Sequence, residues 1–532
     1  IGIVAWITFS SRRNRARDLA LAGIAAIAWI ALPRALPTRV PADFLAGDGS
    51  LVTWREGMVS NVAVVRREGL LQLEIDRWWQ GQNAKTHQIM AARVPALLHP
   101  EPRSVLVVGA GTGQTASRFL DHDVRRLDVV DIEPAVFDVV PECFDHRWME
   151  DPRVRLIRDD GRNFLTHTDR SYDVISLEIG QVFRPGVASF YTSEFYERAG
   201  ARLNPGGLLC QFVPLPFLGL DQLRRVIATF LPAFPHAVLW YNTSELLLIG
   251  SRDRPIRLTR ERLDRLGSDP RLRADLRYAH WGGPARWLGH PEVFAAGFLC
   301  ASRGLADLAR GAPPYRDDRP VLEYETSRAE AAATQEIPLI PVIGRALDPF
   351  DALMVPPPPA ATARTMSEIR SRDLDDMTAS ALIRRAGASE SAGDLARAVE
   401  LSERALALDP ESASAHRALA ESMARMGRDQ EARAQYDAAL RIDPEDPLAL
   451  RGLANWYLAR DRLEEAATGF ASYLSLRPLD VAALNNLGVI LAKRGDATGA
   501  VARFRAAVRI GPSNASARDN LTRMEAALHR TP

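Results

Sequence analysis

Residues 104–120 read SVLVVGAGTGQTASRFL: an apolar run, three glycines at alternate positions (Gly109, Gly111, Gly113), then a stretch able to form a helix. An apolar strand feeding a glycine turn and a helix is the opening of a nucleotide-binding α/β unit. A dinucleotide fingerprint would place its third glycine at Gln114, one residue later than Gly113. The tighter G-x-G-x-G spacing suits a nucleoside whose sugar and sulfonium tail cross the turn without a pyrophosphate, and the helix is expected to open near Thr112. Turns between strand and helix often need glycine anyway, so the loop gains meaning from the residues downstream of it.

Two acids stand at matching places there. RLDVVDIEP (126–134) ends an apolar strand at Asp131, 22 residues after Gly109, where a carboxylate can accept both ribose hydroxyls. RLIRDDGRNFL (155–165) sets Asp160 and Gly161 at the end of the next strand, where an acid can accept the adenine amino hydrogens. Each acid also has an ordinary role, as a helix cap or a turn residue. Further strands are expected at Tyr172–Leu177, Leu208–Val213, His236–Trp240 and Glu245–Ile249, with helices between most of them. This alternation predicts a doubly wound, Rossmann-like α/β domain, with ligand sites at the carboxyl ends of its strands. The last two strands are too close for a helical crossover and predict an antiparallel hairpin.

Outward from this domain (99–252), NVAVVRREGLLQLEI (61–75) alternates around a Glu68-Gly69 turn and predicts a small N-terminal β region with a lead-in helix at Thr86–Leu98, together 45–98. Residues 253–330 read as an extension of the α/β domain, and 331–378, with Pro356–Pro359, as a stiff linker. Beyond it Pro410, Pro444, Pro478 and Pro512 recur every 34 residues, with Ala398, Ala432, Ala466 and Ala500 twelve before them and Ser402, Tyr436, Phe470 and Phe504 eight before. The pattern resembles tetratricopeptide repeats and predicts an all-α solenoid with a capping helix over 379–530, able to take a protein or peptide partner in its groove. Tyr473 departs from it, at a usual alanine position.

Composition bounds the rest. A chain of 532 residues at 47% hydrophobic and 25% charged supports two or three packed domains. A net charge of +1 argues against nucleic acid, and Cys143, Cys210 and Cys300 are too far apart in sequence for a metal or disulfide framework. Apolar runs at 1–9 and 19–32, around arginines 12, 13, 15 and 17, read as the remnant of a membrane-associated region over 1–36. The expectation is attachment to a bacterial cell membrane. The arginine cluster alone would place the chain beyond the second run outside, but a cytosolic cofactor points to soluble domains on the cytoplasmic face.

From about Trp54 to Arg328 the chain resembles the spermidine synthase (polyamine aminopropyltransferase) family, in its membrane-fused branch. The resemblance rests on VLVVGAGTG, VVDIEP, DPRVRLIRDDGRNFL, YDVISLE, FYTSEFYERAGARLNPGGLLCQFVPL, FPHAVLWYNTSELLLIGS and DDRPVLEYETSR. It implies a cofactor, decarboxylated S-adenosylmethionine or S-adenosylmethionine, without a metal, held by Gly109, Gly111, Thr112, Gly113, Asp131, Asp160 and Gly161. It also implies transfer of an aminopropyl group to an amine. In SLEIGQ, Glu178 occupies the position of the family's proton-accepting aspartate and Gln181 that of the second aspartate; Gln80 keeps a pocket glutamine. Thr112 replaces the aspartate that binds the aminopropyl amine, and the acidic pair near Asn83 and Ala84 is absent. With most acceptor-site acids missing, binding of a polyvalent amine is expected to be weak. Tyr191 and Tyr196 read as packing residues. Three functions compete: an aminopropyltransferase-like enzyme with Glu178 as catalytic acceptor of the proton, an S-adenosylmethionine-dependent methyltransferase, and a catalytically inactive scaffold. A small-molecule amine, the membrane and a second copy of the chain in a homodimer are the further partners considered.

Overall fold

The computed structural model describes residues 50–242, 245–276, 291–319, 321–326 and 336–528. The apolar segments at 1–36 lie outside them. No helix among the described residues is long and apolar enough to cross a membrane.

The chain opens with a four-stranded antiparallel meander, β1 (Ser50–Glu56), β2 (Asn61–Arg67), β3 (Leu70–Ile75) and β4 (Trp78–Gln82). The β2–β3 turn falls at Glu68-Gly69 as expected. Both residues have positive φ, +48° and +74°, the geometry whose twist matches a two-residue hairpin. The expected lead-in helix is split, a 3-10 turn at His87–Ile89 preceding a helix at Met90–Leu98.

The central sheet has eight strands: β5 (Ser104–Val108), β6 (Arg126–Asp131), β7 (Val154–Arg158), β8 (Tyr172–Leu177), β9 (Leu203–Val213), β10 (His236–Asn242), β11 (Glu245–Ser251) and, after the two-residue β12 (Leu258–Thr259), β13 (Phe298–Ala301). Their order is β13-β10-β11-β9-β8-β5-β6-β7, with β7 to β9 parallel and β11, β10 and β13 antiparallel to their neighbours. Connections leave β5 toward β6 on one side and, later, β8 on the other, so the order reverses between β5 and β8. A crevice opens there at the carboxyl ends. The sheet's inner strands are apolar almost throughout (Val105, Leu106, Val107, Ile175 and Leu209 are all fully buried), as strands covered on both faces must be.

The proline-rich segment expected as a stiff linker is instead packed on the α/β core. A helix at Glu336–Arg345 and the two-residue β14 (Met354–Val355), parallel to β12, lie within 331–378. Phe350, Leu353 and Met354 are buried in the same core as β11 and β13 residues. The prolines end at Pro359, which caps a single helix of 32 residues, Ala360–Ser391. Its first half packs Met366 and Ile369 on the α/β core, and its second half buries Ala379 and Leu382 in the first repeat. The two units are therefore joined by continuous helix, and burial of apolar anchors between prolines explains the departure.

Paired helices follow from Leu395–Leu408 to Ala515–Leu528. Ala398, Ala432, Ala466 and Ala500 are fully buried, and Tyr436, Phe470 and Phe504 fill the space between helices. Tyr473 has its own task. Its hydroxyl donates to Asp480 Oδ2 (2.6 Å) and lies 3.3 Å from the carbonyl oxygen of Glu68. Arg451 pairs with the Glu68 carboxylate at 2.6 Å, and Arg66 donates to the Ile510 carbonyl. The repeats thus rest on the β2–β3 turn.

Candidate active site

The glycine turn is sterically determined. Gly109, Gly111 and Gly113 have φ of +94°, +49° and +80°, a region where side chains cost about 1–2 kcal/mol. A Cβ on Gly113 would lie 2.2 Å from Trp148 Nε1, and one on Gly109 3.1 Å from the Glu178 carbonyl oxygen. Gly111 has only Gln80 O and Gln88 Nε2 nearby, at 3.4 Å. The helix opens at Gln114, two residues later than expected, because Gly113 is its left-handed cap. Gln114 itself clamps the loop after β4, donating to Gln82 O (2.7 Å) and Ala84 O (2.8 Å) and accepting from Thr86 N–H (2.9 Å). Thr112 is buried against Gly81, and its hydroxyl has no hydrogen-bond partner among the described residues.

The two predicted nucleoside acids stand at the ends of β6 and β7, beside this turn. Asp131 Oδ2 accepts from Ala110 N–H (2.8 Å) and Oδ1 from Glu133 N–H (2.9 Å), which fixes the carboxylate against the glycine loop. Burial pushes its carboxyl up to about 6, and the two backbone donors pull the other way. Both oxygens keep a free lone pair for ribose hydroxyls. Glu133, not Asp131, caps the following helix and also receives Met58, Val59 and Ser60 N–H, tying the N-terminal sheet to this edge. Asp160 fills its ordinary role as well: Oδ1 caps the helix Gly161–His167 by accepting from Asn163 N–H at 2.8 Å. Gly161 is a packing requirement, since its Cβ would meet Val108 Cγ1 at 2.2 Å.

On the other side of the turn, Glu178 follows β8 directly. Its Oε1 is buried without a hydrogen-bond partner among the described residues. Burial lifts its carboxyl to about 8, against a smaller opposing pull from the Thr115 hydroxyl. Gln80 and Gln181 come together, Gln80 Nε2 donating to Gln181 Oε1 at 2.8 Å while Gln181 Nε2 donates to Trp79 O at 2.8 Å. Tyr191 and Tyr196 are fully buried. The Tyr191 hydroxyl lies 2.7 Å from Ile179 O and 2.9 Å from Phe212 O, so it anchors the segment carrying Glu178. Two site residues escaped the sequence reading: Glu245, first in β11, and His87, in the turn before Met90, whose Oε2 and Nε2 lie 3.5 Å apart. The Glu245 signal was the antiparallel hairpin itself, which turns the start of β11 toward the carboxyl edge. Among the described residues no group of His, Cys, Asp or Glu is arranged to hold a metal ion.

Residues 84–244 match the family model described as spermine/spermidine synthase domain, and 391–455 and 449–515 match tetratricopeptide repeat models. The chain carries a spermine/spermidine synthase domain followed by tetratricopeptide repeats. Polyamine aminopropyltransferase 2 of Pseudomonas aeruginosa is 38% identical over 124 residues, 22% of this chain and 35% of the relative. The polyamine aminopropyltransferase of Korarchaeum cryptofilum is 29% identical over 245 residues, 44% of this chain and 72% of the relative. Against the first relatives the chain spans between 35% and 50% of their length. Among solved structures, spermidine synthase from Thermotoga maritima is similar at 18% identity, covering 38% of this chain and 72% of that one with a TM-score of 0.34. A spermidine synthase in complex with the transition-state analogue AdoDATO is similar at 18% identity, 49% and 87% coverage and a TM-score of 0.37. The synthase-domain description and the relatives' names are those of transferases.

Proposed function

We propose that the synthase domain transfers the aminopropyl group of decarboxylated S-adenosylmethionine to an amine. The observation that carries this reading is the convergence at one sheet edge of the positive-φ glycine turn, the Asp131 carboxylate and the desolvated, unpartnered Glu178 oxygen. The donor supplies a carbon made electrophilic by the adjoining sulfonium. Asp131 would hold its ribose, Asp160 its adenine edge, and Gly111, lacking a side chain, would let the nucleoside approach the backbone.

In the transfer a neutral amine nitrogen attacks that carbon; the C–N bond forms as the C–S bond breaks, and methylthioadenosine departs with the electron pair on sulfur. The new ammonium must then shed a proton. Glu178 is suited to receive it, because a carboxyl lifted to about 8 holds a proton well near neutral pH. Positive charge entering the crevice favours its ionised form beforehand. Tyr191 keeps the Glu178 segment in register through Ile179 O. The methyltransferase reading fares less well, since intact S-adenosylmethionine would bring a carboxylate into a crevice that already holds Glu178 and Glu245. The repeat array would recruit a protein or peptide partner on surface its own β2–β3 turn leaves open.

Amine-dependent release of methylthioadenosine from decarboxylated S-adenosylmethionine, followed by chromatography, tests the reading. Release by the full chain that is lost in E178Q is the expected result. Methyl transfer from the intact donor, with no reaction of the decarboxylated one, would overturn it.

A further inference from the structure

Topology brings an unexpected carboxylate to the acceptor side of the crevice. β11 runs antiparallel to β9, with Leu246 opposite Val213, so its first residue, Glu245, arrives at the edge where the parallel strands end. Glu178 reaches the same edge from β8, and His87 reaches it from the turn before Met90. His87 is held between two aromatic rings, Trp79 at 5.6 Å and Phe212 at 5.3 Å. Its Nε2 lies 3.5 Å from Glu245 Oε2, whose side chain is only 14% exposed.

Glu178 Oε1 and Glu245 Oε2 are both buried without a hydrogen-bond partner among the described residues, as is the Thr112 hydroxyl at the glycine turn. No Arg or Lys among the described residues forms an ion pair with either glutamate. His87 does not balance them, because burial pushes its imidazole down to about 4 and leaves it neutral at pH 7. The Glu178 charge in turn helps lift the Glu245 carboxyl well above the ordinary range, after burial. Two desolvated carboxyl groups at one sheet edge with no Arg or Lys partner form a site that a cation would complete.

Resting on the transfer reading above, we propose that Glu245 is the second carboxylate of the acceptor site. Glu178 receives the proton of the attacking nitrogen, and Glu245 holds the ammonium at the acceptor's other end. The acids missing at Gln181 and near Asn83 and Ala84 are thus replaced from a different strand. Two carboxylates serve two nitrogens. A short diamine is matched, a monoamine leaves Glu245 unanswered, and a linear triamine brings a cation with no partner.

The test compares butylamine and 1,4-diaminobutane, which share a four-carbon body and differ in the second nitrogen. Calorimetric titration of the full chain with each amine in the presence of methylthioadenosine is run beside KM measurements with decarboxylated S-adenosylmethionine. Wild type should favour the diamine by about tenfold or more, the value of one charge-assisted hydrogen bond. E245Q should lose that preference, its diamine constants falling toward those of butylamine. E245D, which keeps the charge one methylene back, should recover part of it. A fold defect would weaken both amines alike, so it is distinguished from loss of one contact. Undiminished diamine preference in E245Q overturns the proposal and leaves the transfer reading intact. Diamine transfer absent in wild type, with methylthioadenosine also failing to bind, overturns both.

Discussion

Replacing Glu178 by glutamine should make the α/β domain's stability less dependent on pH, by an amount the structure sets. Glu178 titrates at about 8 in the folded chain against an ordinary 4.5, because its burial penalises the ionised form. Below about pH 4.5 both folded and unfolded chains carry the proton and the group contributes fully. Between 4.5 and 8 only the unfolded chain ionises, so stability falls as pH rises, and above 8 the loss is complete. At 1.36 kcal/mol per pH unit the whole loss is about 5 kcal/mol. In E178Q that dependence is absent. The substituted amide also meets a site lacking partners, but its cost is the same at every pH and cancels in the comparison. Urea denaturation of wild type and E178Q, followed by tryptophan fluorescence at pH 5 and pH 8.5, measures the difference. E178Q should gain several kcal/mol on wild type between the two conditions. An equal difference at both would mean that Glu178 is solvated, and would refute the desolvated-carboxylate argument.

G113A combines a left-handed backbone with a 2.2 Å approach to Trp148 and should cost at least about 2 kcal/mol, whereas G111A, whose Cβ would meet nothing nearer than 3.4 Å, should cost less; thermal melts of the pair check this. Y191F removes the hydroxyl tying Ile179 O to Phe212 O and should destabilise by about 1–2 kcal/mol. It should also slow amine-dependent turnover with little change in the KM for the nucleoside donor. Y473F, which keeps the buried ring and removes only the hydroxyl, should loosen the β2–β3 turn from the repeats, seen as faster hydrogen exchange over residues 66–71 with the repeat helices little changed. Protection equal to wild type in that turn would count against the docked arrangement.

Much of this fold is legible in the chain because parallel strands buried on both faces announce themselves. Val105–Val108 and Val129–Val130 are apolar without interruption, and the glycines and acids follow each at the carboxyl end. The repeats are equally plain, since alanines and aromatics at a fixed period have only one economical packing. Other features resisted. Proline density over 337–360 concealed Phe350, Leu353 and Met354, whose burial decides that segment. β13 has four residues and too little pattern to be seen alone. Asp160 and Gly161 satisfy local rules of capping and packing whether or not a ligand is present, so their spacing could not separate the two roles. Glu245 was hidden for a geometric reason. Its place in the site depends on β11 pairing with β9, and the predicted hairpin gives the reversal of the chain without naming that neighbour. Tyr473, a departure within the repeat, marks the contact with the Glu68 turn.

The central claim is that the edge of the sheet beside Gly109–Gly113 grips an adenosyl nucleoside through Asp131. Titration calorimetry of the full chain with decarboxylated S-adenosylmethionine tests it most directly, in wild type and in D131A. The expected result is one-to-one binding by wild type that weakens by at least about tenfold in D131A. No binding by wild type, or the same affinity in D131A, would contradict it.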